Sequence, residues 1–332
     1  MMTTADFSGI IQNTMPEGPE VETIRRGLEL GAVGQVIARV ETLWPKSLLA
    51  DDAPVAEVVA GATITHAERR AKVLILRLSS GFSLLFHLKM TGQLVLVKSD
   101  GERFAGGHPT ESMQGELPDK STRVILELES GDRLYFNDQR KFGWVKVLPT
   151  NKIETESLIK KLGPEVLSDQ FTVGYLAAQL KRRGRSMIKP VILDQTVVGG
   201  IGNIYADETL HLARLHPERR AGTLTPTEIE RLWSAAREII ALGIEHGGTS
   251  FSHYVNALGG RGDYLEHARV FRRQGQPCPV CGATILKIRV AGRGTHYCPV
   301  CQPAPAGVAK SAGAAEPMKP ANPASSAKPA RP

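Results

Sequence analysis

The sequence predicts an α+β fold: an N-terminal β-sandwich domain flanked by helices, a helical C-terminal domain bearing a four-cysteine β-hairpin, and a disordered tail. Three observations lead there. Short apolar runs separated by turn residues fill the chain from about Val36 to Val147. After Pro149 the hydrophobic period becomes helical. All four cysteines fall between 278 and 301, as two C-x2-C pairs.

Residues 1–14 have no clear periodicity and are either a mis-assigned start or a removable leader. They precede Met15-Pro16-Glu17-Gly18-Pro19-Glu20-Val21-Glu22-Thr23-Ile24-Arg25-Arg26, which starts a helix. Proline suits the first turn, acidic side chains favour the positive end, and Val21, Ile24 and Leu28 form an apolar stripe ending near Gly31. The same stretch permits chemistry. If translation starts at Met15 and that residue is trimmed, Pro16 becomes an N-terminal secondary amine with a reference pKa near ~8. Such an amine attacks a sugar carbon to form an iminium, with Glu17 beside it as general acid or base.

Val73–Leu78 and Ser83–Leu88 flank a Ser-Ser-Gly turn, and Arg123–Leu128 and Arg133–Phe136 flank Glu-Ser-Gly-Asp; each pair reads as a hairpin. Between the hairpins, Ser99 to Ser121 is polar and Gly-rich and reads as a loop. Helices are predicted over Glu154–Leu162, Val173–Leu180, Ile188–Asp194, Asn203–Leu215 and Thr225–His246. The Ala/Pro/Lys/Ser mix from Pro303 onward has too little apolar surface to order itself. The divisions are therefore a leader at 1–15, domains at 16–149 and 150–266, a metal hairpin at 267–302 and a tail at 303–332.

At 332 residues, 42% hydrophobic and 23% charged, the chain has room for about two domains. Basic residues exceed acidic ones by seven, which favours a polyanionic partner. Lys310, Lys319, Lys328 and Arg331 against Glu316 place three of those seven charges in the tail, so the placement of charge matters more than its sum. No apolar run reaches the ~18 residues of a membrane span, and the first residues lack the pattern of a secretory signal. The expected location is the cytoplasm.

Cys278-Pro-Val-Cys281 and Cys298-Pro-Val-Cys301, with sixteen residues between the pairs, have the spacing of a structural zinc site. Four thiolates leave the ion no open position, so it holds a fold and does no catalysis. Ile285–Val290 and the segment leading into Tyr297 are the strands between the pairs, with Arg293 in the exposed turn. Val198 to Glu208 is a glycine-rich turn opening a helix; its backbone amides suit a phosphate, with Asn203 as cap or direct ligand.

Taken together, the Pro-Glu-x-Pro-Glu-Val-Glu-Thr-x-Arg-Arg-Gly start, the glycine-rich turn and the cysteine hairpin resemble the formamidopyrimidine-DNA glycosylase family of bacterial base-excision repair enzymes. The resemblance runs from about Pro16 to Gln302. It implies a helix-two-turn-helix DNA-binding domain, one structural zinc ion and no redox cofactor or catalytic metal. The implied partner is double-stranded DNA with oxidised bases or abasic sites, bound by a monomer.

By that resemblance Pro16 is the nucleophile, Glu17 protonates the opening deoxyribose, and the Schiff base then undergoes β- and δ-elimination. Lys72, in Arg69-Arg70-Ala71-Lys72, and Arg293 join the catalytic site, and Glu20 and Glu208 support it. Met90, Arg140 and Phe142 fill the hole left by an extruded base, a task that suits apolar wedges and an arginine. Arg185, Lys189, Asn203 and Tyr264 contact DNA; Tyr264 ends a glycine-rich stretch from Gly247 that resembles the lesion-capping loop.

Two departures point elsewhere. Gly18 replaces the usual leucine, and Ser121-Thr122-Arg123 stands where a histidine pair is common; both are similar to the endonuclease VIII branch, which removes oxidised pyrimidines. Asn137–Gly143 and Gly247–Asn256 follow the purine branch, which makes oxidised purines the first reading. A chain whose Pro16 is never freed would instead be a DNA-binding module without catalysis.

Overall fold

The structure is a computed structural model that describes residues 15–50, 54–249 and 262–305. The expected leader at 1–14, most of the expected capping loop and most of the tail lie outside these residues. Helix α1 (Gly18–Gly31) opens the chain, with Pro19 in its first turn and the carboxylate of Glu20 accepting the Glu17 N–H at 2.9 Å. Its face of Val21, Ile24 and Leu28 is fully buried. Each such side chain contributes roughly 1.5–3 kcal/mol of transfer free energy.

Ten strands follow: β1 (Ile37–Thr42), β2 (Leu48–Ala50), β3 (Ile64–Arg70), β4 (Val73–Leu78), β5 (Phe82–His87), β6 (Gly92–Val97), β7 (Arg103–Gly107), β8 (Thr122–Leu128), β9 (Arg133–Asp138) and β10 (Trp144–Pro149). A short helix α2 (Val55–Val59) lies between β2 and β3. The strands form two five-stranded sheets, ordered β1-β8-β9-β6-β7 and β2-β10-β5-β4-β3, antiparallel except where β2 runs parallel to β10. Leu74, Leu76, Leu84 and Phe86 of one sheet meet Leu94, Val124, Leu126 and Phe136 of the other in a shared core, which α1 completes by packing on β3 and β7.

Strand β7 is a correction. Its Phe104 and Ala105 are buried, but Gly106 and Gly107 follow at once, so the apolar run is too short to stand out from the polar segment around it.

Beyond Pro149 the chain is helical: α3 (Ser157–Lys160), α4 (Val173–Arg182), α5 (Ile188–Leu193), α6 (Asn203–Leu212), α7 (Pro226–Glu245) and the short α8 (Tyr264–His267). A capping box between Thr225 and Glu228, with Pro226 in the first turn, starts α7. Its Leu232, Ala235, Ile239 and Ile240 pack with α4, α5 and α6 around Tyr205 and Leu210 in a second core. The chain ends in a hairpin of β11 (Leu286–Val290) and β12 (Arg293–Tyr297), turned by Ala291 and Gly292. No helix among the described residues is long and apolar enough to cross a membrane.

Candidate active site

The centre of the site is Glu17, which is buried just before α1. Its carboxylate reaches across to the N-terminus of α6. There the backbone N–H of Ile204 donates to Oε1 at 3.0 Å and that of Tyr205 to Oε2 at 3.4 Å. Those are the amides the glycine-rich turn was expected to offer to a phosphate; Glu17 occupies them instead, and the anion suits the positive end of a helix. Gly202 makes the approach possible, because a Cβ there would overlap the Glu17 carboxylate.

Burial pushes the Glu17 carboxyl up to about 7, with Glu20 adding to the rise while Lys72 and the two amides oppose it. Lys72 is buried too; desolvation lowers its pKa, against the pull of Glu17 and Glu20. Glu20 is held by the Glu17 N–H, by the Tyr205 hydroxyl at 2.9 Å, and by the N–H and hydroxyl of Thr249 at 2.7 and 3.0 Å. Pro16 is also buried, beside Glu17, so Pro16, Glu17 and Glu20 gather where α1 meets α6.

Neighbouring arginines differ from Lys72. Arg69 donates to Glu22 at 3.2 Å and to Glu165 at 2.8 Å, and Arg70 donates to the carbonyl of Gly163 at 2.9 Å. They tie the β3–β4 turn to the segment after α3. Glu165 was missed at the sequence level, where Gly-Pro-Glu carries no signal of it.

Sheet topology explains the next group. The chain leaves β5 at His87 and enters the other sheet at Gly92; it leaves β9 at Asp138 and returns at Trp144. Because Gly92 pairs with Asp138 and Trp144 with His87, the two crossings lie side by side. Asp138, fully buried, fastens them through the Thr91 hydroxyl, the Arg140 N–H at 3.2 Å and the Gly143 N–H at 2.6 Å. At their tips an Arg140 Nη1 donor lies 3.3 Å from the Met90 sulfur, and the guanidinium sits 4.9 Å from the Phe142 ring centre. Phe142 is 54% exposed, so the trio projects from the sandwich.

The cysteine hairpin is fastened from below. Lys189, fully buried, donates to Asp207 at 2.6 Å, to the Thr295 hydroxyl at 2.8 Å and to the carbonyl of Gly294 at 3.2 Å. Asp207 also accepts the His296 N–H at 2.8 Å. The Asn203 amide donates to the Gly294 carbonyl at 3.0 Å. Glu208, also buried, accepts the N–H groups of Arg269, Val270 and Phe271 at 2.7–2.9 Å.

Three of the residues expected at DNA have partners within the protein here. Lys189 has no surface to offer a phosphate and acts as a buried brace. Asn203 caps no helix; its amide nitrogen joins α6 to the hairpin, while its Oδ1 takes no partner among the described residues. Tyr264 is fully buried, its ring centre 4.9 Å from that of Tyr205. Arg185 is exposed, as expected of a phosphate contact. Arg293 is exposed at the start of β12, and its charge is felt at both Lys72 and Lys189, which puts the hairpin turn beside the site.

The four cysteine sulfurs lie within 4.8 Å of one another, with Cys281 to Cys298 at 3.4 Å and Cys278 to Cys301 at 3.9 Å. A tetrahedral zinc with bonds of ~2.3 Å separates its sulfurs by ~3.8 Å, so the donor set and its spacing fit one structural zinc ion.

Comparison with known proteins gives the same picture. Residues 15–145 match the formamidopyrimidine-DNA glycosylase N-terminal domain, 162–255 its H2TH domain, and 275–304 the zinc finger found in FPG and IleRS. A formamidopyrimidine-DNA glycosylase of Pelotomaculum thermopropionicum is 43% identical over 289 residues, 87% of this chain and 99% of the relative. A Lactococcus lactis Fpg mutant with Fapy-dG-containing DNA is similar at TM-score 0.77 and 36% identity, covering 87% of this chain and 100% of that one. The wild-type Lactococcus lactis protein with DNA containing an oxidised pyrimidine is similar at TM-score 0.76, with the same identity and coverage.

Proposed function

The chain belongs to the formamidopyrimidine-DNA glycosylase family and is a DNA glycosylase and abasic-site lyase of base-excision repair; from that premise we propose how its own residues carry the reaction. The observation that supports the reading best is Glu17. A buried carboxyl held near neutrality beside Pro16 is a proton donor poised for the working pH.

In this reading the extruded nucleotide presents C1′ to the Pro16 amine. The amine nitrogen forms a bond to C1′ as the C1′–base bond breaks, the amine's own proton passing to the departing base. Glu17 then gives its proton to the deoxyribose ring oxygen as the C1′–O bond breaks, which opens the sugar to the iminium. The iminium acidifies the C2′ hydrogen, so the 3′ and then the 5′ phosphate depart by β- and δ-elimination. The charge of Lys72 opposes the rise in the Glu17 pKa and so favours the anionic form of Glu17 once the proton has gone. Met90, Arg140 and Phe142 fill the gap in the duplex, and Arg185 and Arg293 meet phosphate. The zinc ion, held by Cys278, Cys281, Cys298 and Cys301, supplies no chemistry and keeps the hairpin folded.

Oxidised purines remain the first substrate class, because Asn137–Gly143 follows that branch. The pyrimidine reading rests on Gly18, whose N–H donates to the Gly200 carbonyl at 2.9 Å, and on Ser121-Thr122-Arg123 in place of a histidine pair. The place of action we propose is the bacterial cytoplasm, at the nucleoid, as a monomer. The functional units we propose are the sandwich at 16–149, the helical domain at 150–266 and the zinc hairpin at 267–302.

Borohydride trapping tests the nucleophile. Protein beginning at Pro16 is expected to cleave 8-oxoguanine duplexes and to be trapped covalently on them. Protein still carrying residues 1–15, its start checked by intact mass, is expected to bind without trapping. Equal trapping by both forms would remove Pro16 from its role and leave a lysine such as Lys72 in its place.

A further inference from the structure

We propose that His246, Asp263 and His267 form a second metal site that takes a borderline divalent ion such as Zn2+. His246 caps the C-terminus of α7, Asp263 precedes α8, and His267 ends it. One donor atom from each lies within 4.8 Å of the other two. His246 Nδ1 is 2.7 Å from one Asp263 oxygen, and His267 Nε2 is 3.9 Å from the other. The two imidazole rings lie against each other, tilted by 35° with centres 3.7 Å apart.

Two imidazoles and a carboxylate are a donor set for zinc, nickel or copper, and three protein ligands leave room for water. Ligands bonded to zinc at ~2.0–2.1 Å stand ~3.4 Å apart in a tetrahedron, between the 2.7 Å and 3.9 Å that separate the Asp263 oxygens from the two imidazole nitrogens; the ion would replace the His246–Asp263 hydrogen bond and turn the two rings apart. The side chains are 22%, 43% and 40% exposed, which lets the ion and its water enter from solvent. The site shares no element and no sulfur with the cysteine cluster.

Its position gives it a consequence for the reaction centre. The backbone N–H of Asp263 already donates to the His246 carbonyl at 3.0 Å, and that of Tyr264 to the Gly248 carbonyl at 3.1 Å. Thr249, one residue further, donates to Glu20, which in turn holds the Glu17 N–H. An ion bonded to His246, Asp263 and His267 braces the stem from which Thr249 reaches Glu20.

The test is zinc binding by untagged, full-length protein whose cysteine site is already filled. Calorimetric titration with Zn2+ is expected to show a second, weaker equivalent that raises the thermal midpoint. His267→Ala and Asp263→Asn are expected to weaken that equivalent by about tenfold or more, with the first zinc retained by elemental analysis. Where either variant loses the first zinc or its circular dichroism, His267→Gln, a change at an exposed side chain, carries the comparison. Wild-type protein that binds one equivalent only, or a second equivalent that survives His267→Gln and Asp263→Asn unchanged, overturns the proposal.

Discussion

Glu17 and Lys189 show how far a residue's neighbours decide its work. The base-release step asks for a protonated Glu17, and that fraction falls as pH rises past about 7. It also asks for a neutral Pro16 amine, and that fraction falls as pH drops below ~8. The dependence of kcat/KM on pH is therefore expected to be bell-shaped with its maximum between ~7 and ~8. A profile that keeps rising to pH 9 would contradict the assignment of the acid. Glu17→Gln keeps the nucleophile and loses the proton, so base excision is expected to fall by ~10²–10⁴ while an existing abasic site is cut far better. Lys189→Ala leaves Asp207 buried without its cation, and a loss of roughly 3–5 kcal/mol in denaturant unfolding is expected. Arg185→Ala is expected instead to leave stability in place and to lower the slope of log affinity against log salt by about one; the two variants measured together separate brace from contact. The sequence showed that Lys189 is basic and near the turn. It could not show that Asp207 and Thr295, the latter 106 positions away, close over its ammonium.

At the level of elements, the strands of both predicted hairpins were legible because short apolar runs buried on both faces stand between turn residues, and the long helix α7 because its helical apolar pattern buries one face. The cysteine pairs were legible because the spacing is itself the chemistry. Strand β7 was not, since its pattern is shorter than the turn residues around it. The role of the glycine-rich turn was half legible: glycines announced a close approach to the start of α6, yet the approaching anion is a side chain of this chain. Gly202→Ala tests that. Its methyl group is expected to push the Glu17 carboxylate off Ile204 and Tyr205, and base excision is expected to fall at least as far as DNA affinity does. Normal excision by the variant would show that the cap is dispensable. Chelation of the zinc, or Cys298→Ser, is expected to unfold the β11–β12 hairpin and weaken DNA binding sharply, because binding energy at a four-thiolate site is folding energy. Full affinity in the metal-free protein would sink that expectation.

For the whole molecule, the proposed reaction centre draws on both halves. Pro16, Glu17 and Lys72 come with the sandwich, while the amides that hold Glu17 and the arginine beside Lys72 come from the helical part and the zinc hairpin. Glu165 joins the halves through Arg69 and Arg70, so Glu165→Gln is expected to cost roughly 1–3 kcal/mol of stability and to lower excision through Lys72. An unchanged thermal midpoint would assign that junction to packing alone. The order of synthesis gives this division a temporal side. Pro16 and Glu17 leave the ribosome well before the amides that cap Glu17, which are encoded 187 residues later, and before the hairpin arginine, which comes later still. On the proposed mechanism, a chain truncated before α6 would hold Pro16 and Glu17 without the amides that cap the acid, and cleavage of DNA is expected only from the completed fold.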